Sequence, residues 1–226
     1  MKSGEKTVIR NHDCLIEFRA DLNKHKGIDV MKRFAQVERK TKETQIQLKI
    51  DVDGQGKNRI STGIPFFDHM LILFSAHGFF DLDIEAKGDL DVDFHHTVED
   101  VGIVLGDALK QALGDKKGIK RYGYAVTPMD ETLSSVVVDL SNRPFLVYKI
   151  PSSPIHSSNG FNIHLAKEFF RSFSTHAGMN LHIQVNYGEN EHHTIESIFK
   201  GLGRALDQAT TIDQRILTAH STKGVL

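Results

Sequence analysis

Two stretches of this 226-residue chain carry the same set of side chains able to bind a metal. They are His95, His96 and Glu99 in "DFHHTVED", and His192, His193 and Glu196 in "NEHHTIES". If each stretch opens a helix, the first histidine and the glutamate are four residues apart and lie on one face. Those two can share an ion, whereas the second histidine points about 100° away around the axis, toward a different ion. Each motif is therefore suited to serve two metal sites. This spacing groups His95 and Glu99 with the other motif's His193, and His192 and Glu196 with His96. His69 in "FDHML" and Glu168 in "AKEFF" stand at nearly the same distance before their motifs and are further candidate ligands. Imidazole and carboxylate donors without thiolate suit Mn, Fe, Co or Zn. The donors outnumber what a closed tetrahedral structural zinc needs, which points to ions that polarise a substrate. Isolated histidines such as His164 and His182 read as packing or surface residues.

The elements that must position these motifs also occur twice. In the first half, "ETQIQLKIDVDG" alternates apolar and polar residues as a half-buried strand does, and the short extended "NRIST" follows. Pro65 opens a helix that Gly78 stops. "FDLDIEAKG" and "DLDVDF" alternate again, and the apolar positions after "HHTVED" fall at helical spacing as far as "LGDKKG". In the second half, "TLSSVVVDLSNRPFLVYKI" reads as two strands joined by a turn, and "FNIHLAKEFFRSFSTHAG" as a helix. "MNLHIQVNYG" reads as a strand, and "HHTIESIFKGLGRALDQA" as a helix with one apolar stripe. Strand, strand, helix, strand, helix, written twice, predicts an internally duplicated α+β fold with helices packed on one face of each sheet. The repeats run from about 40 to 118 and from about 119 to 213, with a tail over 214–226. Residues 1–34 show no clear period and read as a short extension of unassigned role, either partly disordered or lying on the surface.

Bulk properties narrow the function classes. A net charge of -1 and a pI near 6.9 leave no electrostatic footprint for nucleic acid or an anionic membrane. The apolar run around "GIPFF" and "MLILF" is too short to span a bilayer, and the N-terminal residues lack the apolar segment of a secretory signal. One cysteine, Cys14, excludes an internal disulfide framework. The expected location is the cytoplasm.

From about Ala35 onward the chain resembles the imidazoleglycerol-phosphate dehydratases of histidine biosynthesis. The resemblance rests on "RKTKETQI", "STGIPFFDHML", "GDLDVDFHHTVEDVGIVLGDAL", "GIKRYGYAVTPMDETL", "VDLSNRP", "GENEHHTIESIFKGLGRAL" and "STKGVL", in that order. It implies the ribosomal S5 domain 2-like fold of two similar halves. It also implies loss of water from imidazole glycerol phosphate to give imidazole acetol phosphate, with two Mn ions per active site. The assembly it implies is a 24-mer built from trimers, with metals at subunit interfaces. One Mn would take His69, His96, His192 and Glu196, and the other His95, Glu99, His193 and Glu168. Many family members have histidine where this chain has Glu168, so one site carries an additional negative charge. The resemblance places Glu43, in "KETQI", near the reacting carbons as a general acid/base. It gives the substrate phosphate to Arg121, Arg143, Ser221 and Lys223, the last completing a neighbouring subunit's site. His77 in "SAHG" either lines the pocket or ends its helix.

The chemistry explains such a donor set. The proton beside the departing hydroxyl has no carbonyl neighbour to acidify it, so stabilisation must come from charge held around the imidazole ring. Two other readings use the same residues. One is a dinuclear metallohydrolase, although the aspartate-rich loops usual in such enzymes are missing. The other is a non-catalytic, metal-assembled shell protein, which leaves the arginines and the "STKG" tail without a role.

Overall fold

The computed structural model describes residues 8–11, 14–17, 32–151 and 160–222, the first two stretches through their backbone. An antiparallel hairpin of β1 (Val8–Asn11) and β2 (Cys14–Glu17), which the sequence pattern does not announce, precedes the duplicated body.

The first half runs β3 (Phe34–Lys40), β4 (Thr44–Asp51), β5 (Asn58–Ser61), α1 (Pro65–Gly78), β6 (Asp81–Gly88) and α2 (His95–Leu113). The second runs β7 (Tyr122–Met129), β8 (Thr132–Asp139), β9 (Phe145–Lys149), α3 (Ile163–Ala177), β10 (Asn180–Tyr187) and α4 (Glu191–Thr210). The sheets have the same order, β3-β4-β6-β5 and β7-β8-β10-β9, with the last pair parallel and the others antiparallel. Duplication is thus explicit in the topology, and the class is the α+β one expected.

Two details differ from the sequence reading. Each half opens with a strand that the alternation did not reveal, so the repeat is strand, strand, strand, helix, strand, helix. In β7 the residues turned inward are Gly123, Ala125 and Thr127, while the large Tyr122, Tyr124 and Val126 face out. The small inner residues let α4 come close: a Cβ on Gly123 would collide with the Ala205 carbonyl. "DLDVDF" is not a strand but a turn closed by Val92 N–H donating to Asp89 O at 2.8 Å. Gly88, which ends β6, lies against Thr97 of α2 with no room for a side chain.

The helices of one half are completed by those of the other. α1 packs on α4 and α2 on α3, while α2 and α4 also cover their own sheets. Gly102 and Gly106 make the second pairing possible. A Cβ at Gly106 would stand 2.9 Å from both Phe173 O and Ala177 N. A single core fills the space between, centred on Phe67, Phe74, Phe169, Phe173 and Phe199, all at most 1% exposed. Among the described residues no helix is long and apolar enough to cross a membrane.

Candidate metal centre

Both histidine motifs open helices, as their spacing demands. Asp93 Oδ1 accepts the His95 N–H at 2.7 Å, and Asn190 Oδ1 accepts the His193 N–H at 3.3 Å, so polar residues just outside each helix satisfy its first free donors.

One cluster forms where α1 meets the start of α4. His192 Nε2 lies 3.0 Å and His69 Nε2 3.4 Å from the same oxygen, Glu196 Oε2. The ligand atoms of these three residues lie within 4.8 Å of one another. Two imidazoles and a carboxylate converging on one point make a donor set fit for a divalent ion such as Mn²⁺. Lys200, one turn along α4, contacts Glu196 Oε1 at 2.6 Å. Burial pushes the Glu196 carboxyl up, but the bonds from Lys200 and His192 outweigh it and hold the group below the usual carboxylate range.

A second cluster forms between α2 and α3. His95 Nε2 lies 3.3 Å from Glu99 Oε2, the i,i+4 pairing the helix predicts. The other Glu99 oxygen faces Arg171 Nη2 at 3.3 Å and Ser172 Oγ at 3.4 Å. Arg171 also makes an ion pair with Glu168, whose buried Oε2 lacks the alignment of a hydrogen bond. Glu99 and Glu168 are thereby joined through one guanidinium.

Within one chain His96 and His193 join neither cluster. His96 Nδ1 lies 3.0 Å from Asp89 Oδ2, which holds the imidazole above its ordinary pKa, and 3.9 Å from Glu43 Oε2. His193 Nδ1 lies 2.8 Å from Glu131 Oε2, and this bond takes the Glu131 carboxyl down to about 2. Asp130, Glu131 and His193 also bring ligand atoms together, with Asp130 3.9 Å from His193 Nε2. Glu43 is more than half exposed, and its loop is fixed by Thr41 Oγ1 accepting from Glu43 N and by Asp89 N donating to Glu43 O.

The residues expected at the phosphate gather elsewhere. Arg121 donates through Nε and Nη2 to Asp139 at 2.6 and 3.0 Å, and through Nη1 to the His220 carbonyl at 2.7 Å. Arg143, with its side chain 65% exposed, lies 3.7 Å from Asp139, and the tail bearing Ser221 follows directly on His220. Lys223 lies outside the described residues. The Arg121 N–H bonds to Ala209 O, thirteen residues beyond Glu196 on α4. At 1.5 Å per residue that is about 20 Å along the helix. His77 lines a groove with Phe79, Tyr124 and Arg204, and burial followed by the nearby Lys200 and Arg204 charges lowers its pKa.

Asp89, Glu131, Arg171 and Lys200 are additional residues of these clusters that the motif reading did not supply. A signal existed for one of them. "DET" at 130–132 echoes "KET" at 42–44, and both precede the second strand of a half.

Fold and clusters together define a duplicated α+β protein with two histidine–carboxylate centres at the starts of its helices. The sequence comparisons agree on which one. The family model for imidazoleglycerol-phosphate dehydratase matches residues 62–206. The imidazoleglycerol-phosphate dehydratase of Desulfosudis oleivorans is 64% identical over 196 residues, covering 87% of this chain and all of the relative. That of Trichlorobacter lovleyi is 58% identical over the same span and coverage. Among solved structures, the Staphylococcus aureus dehydratase superposes with a TM-score of 0.72 at 42% identity, over 80% of this chain and 99% of the other. The Pyrococcus furiosus enzyme, in complex with (S)-C348, gives 0.73 at 39% identity, over 84% and 100%. The chain belongs to the imidazoleglycerol-phosphate dehydratase family, hydro-lyases of histidine biosynthesis.

Proposed function

We propose that this chain catalyses the Mn²⁺-dependent dehydration of D-erythro-imidazole glycerol phosphate to imidazole acetol phosphate and water. In this reading two Mn²⁺ ions serve each site, and the sites are completed between copies of the chain in a 24-mer. The observation that carries it is the His69–His192–Glu196 cluster, a donor set suited to that ion in a member of this family.

His69, His192 and Glu196 would hold one ion and His95, Glu99 and Glu168 the other, with His96 and His193 supplied by a neighbouring copy. Bound ions would supply positive charge beside the ring, favouring its deprotonated form, whose electrons expel the adjacent hydroxyl. Glu43, on a fixed loop beside His96 and more than half exposed, would move the proton between the reacting carbons. Arg143 and Ser221, with Lys223, would take the phosphate, and Arg121 ties the tail to that cluster through the His220 carbonyl.

Two observations favour sites shared between copies. His96 and His193 pair with Asp89 and Glu131 rather than with their own chain's clusters, and Ala209, which bonds Arg121, stands about 20 Å along α4 from Glu196. The outer face of the second sheet also leaves Tyr124 67%, Val126 53% and Val137 47% exposed, an apolar surface suited to burial against another copy.

The test is an assay of imidazole glycerol phosphate turnover by chelator-treated protein before and after Mn²⁺ is restored. Restored ketone formation is the expected result. Release of inorganic phosphate instead would support a metallohydrolase, and metal uptake without turnover would support a shell protein.

A further inference from the structure

The duplication places Glu43 and Glu131 at equivalent points. Each directly precedes the first residue of the second strand in its half, Thr44 in β4 and Thr132 in β8. Each also approaches the Nδ1 of the second histidine in its half's motif, His96 or His193. Yet the halves use these glutamates differently. In the second half Glu131 bonds His193 Nδ1 at 2.8 Å. In the first half Glu43 stands off at 3.9 Å, and Asp89 has taken the nitrogen at 3.0 Å.

An ionised carboxylate only accepts hydrogen bonds, so the hydrogen in each contact belongs to Nδ1. A neutral imidazole protonated at Nδ1 keeps its lone pair on Nε2, and a carboxylate at Nδ1 both fixes the ring's direction and raises its basicity as a ligand. Glu131 is itself held, since its Oε1 accepts from Asn190 N at 3.0 Å and Thr132 Oγ1 at 3.1 Å. Asp89 bonds His96 through Oδ2, while its Oδ1 is buried with no hydrogen-bond partner.

We propose that Asp89 and Glu131 are positioning residues that fix His96 and His193 as metal ligands through Nε2, outside their own chain's two clusters. In the first half, Asp89 thereby releases Glu43 from the anchoring role its counterpart Glu131 performs, leaving that carboxylate available for proton transfer. The inference rests on the reading above that these histidines ligate Mn²⁺.

The test is Mn²⁺ affinity, measured by electron paramagnetic resonance of the free ion on metal-stripped protein refilled in steps. The variants are Glu131→Ala, and Asp89→Ala combined with Glu43→Ala because Glu43 can replace Asp89 at the same nitrogen. Each is expected to bind one of the two ions 10- to 100-fold more weakly, the usual cost of losing such a partner, with the metal-free unfolding midpoint unmoved. Glu131→Gln, whose amide oxygen still accepts from Nδ1–H, is expected to recover part of the loss. Wild-type affinity in both alanine variants would overturn the inference. So would removal of an additional third ion by Glu131→Ala, which would make Asp130, Glu131 and His193 a separate site. Wild-type protein that binds no Mn²⁺ would instead overturn the proposed function.

Discussion

A mixture of two defective chains should recover activity that neither has alone. Glu196→Gln removes the charge that joins His69 and His192, and Arg143→Ala removes the exposed guanidinium of the anion cluster. On one chain Ala209, whose carbonyl bonds Arg121 next to Arg143's partner Asp139, stands about 20 Å along α4 from Glu196. The substrate has five single bonds between ring and phosphorus, a reach of roughly 7 Å at about 1.5 Å per bond. On the proposed reading, two copies would be needed to offer both groups to one substrate molecule. In particles assembled from equal amounts of the two variants, half of the sites draw Glu196 from an intact copy. Half of those draw Arg143 from an intact copy, so about a quarter of wild-type activity returns. The assay is ketone formation after mixing the chelated chains and restoring Mn²⁺, at substrate well below the KM of Arg143→Ala. Activity no higher than the average of the two variants would refute the shared site.

Other expectations follow from single contacts. Glu99→Ala should lose metal and activity together, whereas Arg143→Ala should retain metal and mainly raise KM; metal analysis and steady-state kinetics separate the two. Gly106→Ala should destabilise the chain by about 1–3 kcal/mol in urea unfolding, because its Cβ meets the backbone of α3 at 2.9 Å. Lys116 is 2% exposed, donates to Leu140 O and Asn142 Oδ1, and has a pKa lowered to about 8 by burial and then by the Lys110 charge. Between pH 8 and 10.5 the unfolded chain binds a proton that the folded chain has released, so this group makes stability rise with pH across that window. The rise is worth roughly 3 kcal/mol and is absent in Lys116→Met; equal pH slopes in the two proteins would contradict it.

The His–Glu pairings were legible because helical geometry is strict: four residues bring His95 to Glu99 and His192 to Glu196, and one residue turns His96 and His193 to other partners. The duplication was legible through β4, β6 and β10, whose buried aliphatics alternate cleanly. β3 and β7 were not, for a reason visible in β7, where closeness to α4 demands Gly123 and Ala125 inside and leaves the tyrosines outside. Leu90 and Val92 misled in the opposite sense, since they alternate yet lie in the turn that carries Asp89 to His96. Glu131 escaped a motif search because it stands 62 residues before His193, and Asp89, only seven residues before His96, because its stretch reads as a strand. Arg171 and Lys200 look like ordinary helix-surface charges until α3 and α4 place them against Glu99, Glu168 and Glu196.

The central claim is that one catalytic centre takes its metal ligands from more than one copy of the chain. Anomalous scattering from a Mn²⁺-loaded crystal tests it most directly. The account predicts two Mn peaks per site. One would be bound by His69, His192 and Glu196 of one copy with a neighbour's His96, and the other by His95, Glu99 and Glu168 with a neighbour's His193. A single peak, or two peaks whose protein ligands all come from one chain, would contradict it.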